Sequence, residues 1–170
     1  LNIMIGINYL IKIDFKIFKK NNIIIYKMNV YTDGSCDEPG NPNAKAGIGI
    51  YFGLNDNRNV SQEIKGKNLS HNIAELTAIL NVFSILKNDI KNGKLINIYS
   101  DSEYSINSVT IWYPKWKKEN KLDGKKNLDL ISSIYSYLKR YKNVKLIHIK
   151  AHTGYKDEHS LGNEQADTLA

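Results

Sequence analysis

Cysteine is nearly absent: Cys36 stands alone among 170 residues, which excludes an internal disulfide and a cysteine-based zinc site. A reducing, cytoplasmic compartment fits that usage. No apolar run approaches the ~20 residues of a membrane-spanning helix. Repeats and low-complexity linkers are also missing from residues 28–170. What is there, 42% hydrophobic and 24% charged residues, is the composition of one folded globular domain with its own core.

The formal charge of +7 is unevenly spread. Five lysines against Asp14 give residues 1–27 a charge of +4, which leaves +3 for residues 28–170. That remainder already contains the clustered acids described below, so the rest of its surface is more basic than +3 suggests, and polyanionic partners are expected. Residues 11–17 alternate like a strand, but residues 1–27 as a whole are a mix of Ile, Asn and Lys without caps, turns or a steady period. They contain no arginine and no small-residue cleavage site, so a signal or transit peptide is not expected. Met28 stands just before the first well-patterned strand. The natural start is therefore expected there, with residues 1–27 as an N-terminal extension and residues 28–170 as the folded domain.

The pattern from Met28 onward predicts strands at 29–33, 46–52 and 60–65, joined by short connections that favour antiparallel pairing. Ile73, Leu76, Leu80 and Phe83 have the spacing of one helix face, with Ser70 as N-cap. A buried-type strand follows at 95–99, and Ser100 to Glu103 has the spacing of a capping box. Residues 127–140 read as a helix, 144–149 as a strand, and 162–170 as the start of a last helix that the end of the sequence cuts short. The expected fold is α/β: a five-stranded mixed sheet, three antiparallel strands followed by βα units, with helices on both faces.

Asp33 is expected at the carboxyl tip of the first strand, stopped by Gly34, where open sheets keep their chemistry. An Asp-Gly pair also commonly marks a turn. Glu75 lies on the flank of Ile79, Val82 and Leu86, where a charge needs a partner or a metal unless it snorkels to solvent. Asp101 ends the fourth strand and equally suits a helix start. Glu164 and Asp167 share a face of the final helix. Converging carboxylates repel, by about 4 kcal/mol per pair at about 4 Å and an effective dielectric of 20. Hard divalent cations remove that conflict, and oxygen-only ligands select Mg2+ or Mn2+ over zinc. Two such ions can clamp the attacking and leaving oxygens of a phosphodiester.

Tyr31-Thr32-Asp33-Gly34-Ser35-Cys36, Asn72-Ile73-Ala74-Glu75-Leu76, Tyr99-Ser100-Asp101-Ser102-Glu103-Tyr104 and Gly162-Asn163-Glu164-Gln165-Ala166-Asp167 together resemble the four acidic motifs of type 1 ribonuclease H, in order and in spacing. The resemblance implies a ribonuclease H-like fold and an endonuclease that hydrolyses the RNA strand of RNA/DNA hybrids with two Mg2+ ions. Asp33, Glu75, Asp101 and Asp167 are implied as catalytic metal ligands. His152, in Lys150-Ala151-His152-Thr153-Gly154, matches the family's loop histidine, which assists proton transfer or product release. The segment from His152 to Asp167 is longer than in many members, with residues 155–160 as the apparent insertion; His159 is a secondary candidate for the same role.

The same resemblance implies contacts to the hybrid. Ser70 and Asn72 match positions on the RNA minor groove and a DNA phosphate, although His71 replaces the usual asparagine. Asn41 lies in the glycine-containing loop, Trp112, Trp116, Lys117 and Lys118 resemble the helix and short basic handle that grip the DNA strand, and Asn127 matches a further phosphate contact. A monomer without an obligate protein partner or membrane association is expected. Two alternatives remain at this level: the same domain within a reverse transcriptase polyprotein, and a non-cleaving hybrid-binding module of the same fold.

Overall fold

The first predicted strand, around Tyr31, becomes the spine of the molecule. In the computed structural model, which describes residues 18–20, 23–25, 27–151 and 153–170, this run extends into an eleven-residue strand. The strand expected at residues 11–17 lies outside the described residues, as does His152. Strands β1 (Phe18–Lys20) and β2 (Ile23–Ile25) form a two-stranded antiparallel pair with Phe18 opposite Ile25.

The main sheet contains β3 (Lys27–Asp37), β4 (Lys45–Tyr51), β5 (Val60–Ile64), β6 (Leu95–Ser100) and β7 (Val144–His148), in the spatial order β5-β4-β3-β6-β7. β3, β4 and β5 pair antiparallel, whereas β6 joins β3 and β7 joins β6 in parallel. Strand period sorts the side chains of β3 between two faces. Met28, Val30 and Cys36 enter the main core with Ile48, Ile50, Ile96 and Ile98; Tyr31 points the other way, into a second cluster with Tyr99 and Ala166.

Helix α1 (His71–Ile85) covers the first face, followed by the short α2 (Lys87–Lys91). Ser70 caps α1 as expected, its side chain accepting from the Ile73 amide at 3.3 Å. The deeply buried stripe is not centred on Ile73 and Leu80, which are only half-buried, but on Leu76, Ile79, Val82 and Leu86. Burial on a second side by α5 (Leu128–Arg140), through Ile131 and Ile134, shifts the stripe. Glu75, expected at an edge, is buried, 8% exposed.

Between β6 and α5 the chain is helical from Glu103 to Lys118, in three parts: α3 (Glu103–Asn107), a π-helical turn (Ser108–Trp112) and α4 (Tyr113–Lys118). Pro114 has no amide hydrogen for a carbonyl in the preceding turn, and the wider π hydrogen bonding falls where the α ladder is interrupted. The capping box expected at Ser100–Glu103 is displaced by two residues. Ser102 is the cap of α3, accepting from the Ser105 amide at 3.2 Å, while Ser100 Oγ accepts from the Ser102 amide at 3.1 Å and turns the chain.

Helix α6 (Glu158–Leu169) covers the opposite face and begins four residues before the expected Gly162. Asp157 sets this start by accepting from the amides of His159 and Ser160 at 3.0 and 3.1 Å. Half of the expected loop insertion, residues 158–160, is therefore helical. α6 rests directly on the backbone of β4: a Cβ at Gly47 or Gly49 would overlap the carbonyl oxygen of Ala170 or Ala166. The alternating glycines of β4 are a shelf for a helix.

Shortening the chain to start at Met28 removes only the Lys27–Leu95 pair from the main sheet. The shortened protein is expected to unfold cooperatively within about 4 °C of the full chain. Loss of a cooperative transition in a thermal melt would show that residues 1–27 complete the core.

Candidate metal centre

β3 is longer than its parallel partner. Pairing with β6 ends at Tyr31 opposite Tyr99, while pairing with β4 continues to Asp37 opposite Lys45. Asp33 therefore does not end its strand as expected; it sits where the sheet parts between β3 and β6. Gly34 is no turn either. A Cβ there would overlap the backbone nitrogen of Glu75, so the missing side chain lets α1 lie against β3 and brings Glu75 beside Asp33. Asp101 leaves β6 one residue after its end at Ser100. Thr32 Oγ1 ties the diverging strands by donating to the Tyr99 carbonyl at 3.2 Å.

These elements bring Asp33, Glu75 and Asp101 together, with one oxygen from each lying within 4.8 Å of the others. Asp33 and Glu75 are 9% and 8% exposed, so water screens them poorly. Burial, then Asp33 and Asp101, pushes the Glu75 carboxyl up to about 10. Burial, then Asp101, pushes Asp33 up to about 6. Without a cation the pocket therefore holds protons that carboxylates would release in water.

The donor set suits a hard divalent cation: all three ligand groups are carboxylates, and buried Glu75 Oε2 has no hydrogen-bond donor among the described residues. A cation would satisfy that oxygen and remove the repulsion. Asp167, on α6, is exposed and lies outside the tight group, though near enough for its charge to raise Asp33. It flanks the cluster from the helix side.

Asn163, within the Gly162–Asp167 motif, has a task that the sequence pattern alone did not assign. It is 2% exposed, one turn before Asp167, and its Nδ2 donates to Asp101 Oδ2 at 2.9 Å. Its one-turn spacing from Asp167, which places both on one helix face, was the available signal. His148, at the end of β7, also reaches Asp101, with Nε2 3.2 Å from its carbonyl oxygen. Asp101 is thus held through both side chain and backbone.

The remaining candidates have separate local settings. Ser70 is engaged in capping and Asn72 is exposed on the first turn of α1. Asn41 Oδ1 accepts from the Asn43 amide at 3.0 Å within its loop. Trp112 stands edge-on to Tyr104 with ring centres 5.8 Å apart, and Trp116 lies 6.2 Å beyond it with Lys125 Nζ 5.0 Å from its ring centre. Lys117 and Lys118 are exposed in the last turn of α4. Asn127 adopts a left-handed conformation at the start of α5 and donates to the Tyr104 hydroxyl at 3.0 Å. His159 packs against Tyr31 and Tyr99 on the α6 face.

Residues 26–170 match the family model described as RNase H. Ribonuclease H of Schizosaccharomyces pombe is 43% identical over 145 residues, covering 83% of this chain and 50% of that protein. Ribonuclease H1 of Mus musculus is 32% identical over 145 residues, covering 83% of this chain and 48% of that protein. The chain thus spans about half the length of these two relatives. Ribonuclease H of Orientia tsutsugamushi is 31% identical over 156 residues, covering 88% of this chain and 82% of that protein. Among solved structures, the PFV RNase H domain superposes with a TM-score of 0.61 at 26% identity, covering 86% of this chain and 93% of that one. LC9-RNase H1, at 20% identity and a TM-score of 0.62, covers 88% of this chain and 72% of that chain and supports the fold.

Proposed function

We propose, from the premise that this chain belongs to the ribonuclease H family, that it is an endonuclease hydrolysing the RNA strand of RNA/DNA hybrids. The observation that carries the proposal is the convergence of buried Asp33 and Glu75 with half-buried Asp101, one oxygen from each lying within 4.8 Å of the others. A protein that only binds hybrids has no use for such a costly cluster. Asp33, Glu75 and Asp101 would hold divalent ions, with Asp167 contributing from the flank. When bound, two Mg2+ ions, or Mn2+ as a substitute, supply Lewis acidity to the scissile phosphate and lower the pKa of attacking water.

The chain's own residues have complementary tasks. Asn163 and His148 fix the orientation of Asp101 through the contacts given above, so its carboxylate is preset for the cation. Ser70, Asn72, Asn41 and Asn127 offer polar groups to the backbone and minor groove of the hybrid. Trp112 and the exposed Lys117 and Lys118 would grip the DNA strand. His152 would move a proton during turnover or help the product leave, without holding metal. The protein would act as a monomer in a reducing, cytoplasmic compartment; among the described residues no helix is long and apolar enough to cross a membrane.

A labelled RNA/DNA hybrid with Mg2+, run beside RNA duplex and DNA duplex, tests the proposal. Cleavage of the RNA strand in the hybrid alone is expected; an uncut hybrid would overturn it. The basic handle gives a separate test. Replacing both Lys117 and Lys118 with alanine should flatten the slope of log affinity against log salt by about one to two units, because each phosphate contact contributes roughly −0.9 on duplex DNA. Single-turnover cleavage at saturating hybrid should barely change. An unchanged slope, measured in Ca2+ to block cutting, would place the grip elsewhere.

A further inference from the structure

Helix α6 lies along β3 and runs in the same direction. Near its start, Glu158 Oε1 accepts from Asn29 Nδ2 and from the Tyr31 hydroxyl, the latter at 3.3 Å. At the other end of the contact, Ser35 Oγ donates to the Ala170 carbonyl at 2.7 Å. The lengths agree: Glu158 to Ala170 is about 18 Å of helix, and Asn29 to Ser35 is about 20 Å of strand. Between these two pins the helix carries Asn163 to Asp101 and Asp167 to the vicinity of Asp33.

The first pin is built in depth. His159 Nδ1 lies 3.0 Å from the Tyr31 hydroxyl, and its ring centre is 4.4 Å from that of Tyr99. Asn97 Nδ2 donates to Asn29 Oδ1 at 3.3 Å and to the Tyr99 hydroxyl at 3.1 Å, holding the groups that receive the helix. Asp157, Glu158, His159 and Ser160 belong to the stretch that reads as an insertion in the sequence.

We propose that Glu158 and His159 are positioning residues for the metal centre, setting through Asn29, Tyr31 and Tyr99 the axial register of α6 that places Asn163 on Asp101 and Asp167 beside Asp33. A slip of one residue would move the helix about 1.5 Å and turn it by about 100°. Neither motion is compatible with the Asn163 bond to Asp101. The inference rests on the reading of these acids as metal ligands.

Its test measures Mn2+ affinity by calorimetry in the full chain, with kcat and KM on the hybrid as a second readout. Loss of Mn2+ binding in Asp33→Asn checks the metal centre itself, independently of the pin. The double variant Glu158→Ala, His159→Ala is expected to bind Mn2+ about tenfold more weakly, the scale seen when groups behind metal ligands are removed. Its kcat should fall in parallel while KM holds, because the basic handle is untouched. Glu158→Gln keeps an acceptor of the same length and should retain parental values. Tyr31→Phe, which deletes one hydroxyl, should shift Mn2+ affinity and kcat in the same direction and stands in if the double variant does not fold. Unchanged Mn2+ affinity and kcat accompanied by a lower melting temperature would overturn the proposal and leave these residues a purely structural role.

Discussion

Replacing Asp33 with asparagine is expected to abolish hybrid cleavage while raising the melting temperature of the metal-free protein. Loss of at least about 10³-fold in rate corresponds to about 4 kcal/mol of transition-state stabilisation. The opposite effect on stability follows from the electrostatics. In the native state Asp33 and Glu75 hold protons up to about 6 and about 10, whereas the unfolded chain releases them near 4. As pH rises from about 4 the unfolded state loses protons that the native state retains, so metal-free stability declines through this window. Asparagine deletes one charge of the cluster. Its melting temperature should therefore exceed the parent's at pH 8 by about 2–4 °C for each kcal/mol relieved, and the two should converge toward pH 4. Near-normal Mg2+-dependent cleavage by the variant would remove Asp33 from the site.

The second large effect is expected from Gly34→Ala, a change of one methyl group. A Cβ at Gly34 would overlap the Glu75 nitrogen and the Ala74 backbone, neither of which can rotate away. α1 has to back off from β3, and with it go the buried contacts of Leu76, Ile79 and Val82. A cost of about 3 kcal/mol or more, the upper range for overpacking, is expected. In a thermal melt this corresponds to a drop on the order of 10 °C. Mn2+ affinity should fall too, because Glu75 moves with the helix. A variant with parental stability would mean that α1 and β3 are less closely seated than described.

The order and type of the main elements were legible from residue 28 onward because each carries a strong local pattern. β4, β5, β6, α5 and β7 lie within about two residues of their expected bounds, the usual margin for element ends. The acids stood out for a different reason: four acidic motifs in order and spacing resemble those of one family, and of their carboxylates the fold brings Asp33, Glu75 and Asp101 together while Asp167 stays on the flank. What local pattern could not convey was contact between distant elements. Gly34 reads as a turn beside Asp33, and only the approach of α1 reveals it as a strand residue. Gly47 and Gly49 look like weak points in β4 until α6 is laid over them. Ser100 and Ser102 both suit a helix start, and the choice between them depends on where β6 stops pairing. The tasks of Asn163 and Glu158 arise from residues 62 and 129 positions away.

The unequal lengths of β3 and its parallel neighbour also govern when the site can come into being. β3 meets β4 across a short connection, so the antiparallel meander closes small loops. Thr32 and Tyr99, which join β3 to β6, are 67 positions apart, and such long closures cost more entropy before they return any contact. A chain caught midway, with the meander formed and β6 still adrift, would carry Asp33 without Asp101. Such a species could not concentrate metal at the half-built sheet. On the proposed reading of these acids, cation capture would be reserved for molecules that have already brought distant parts of the chain together.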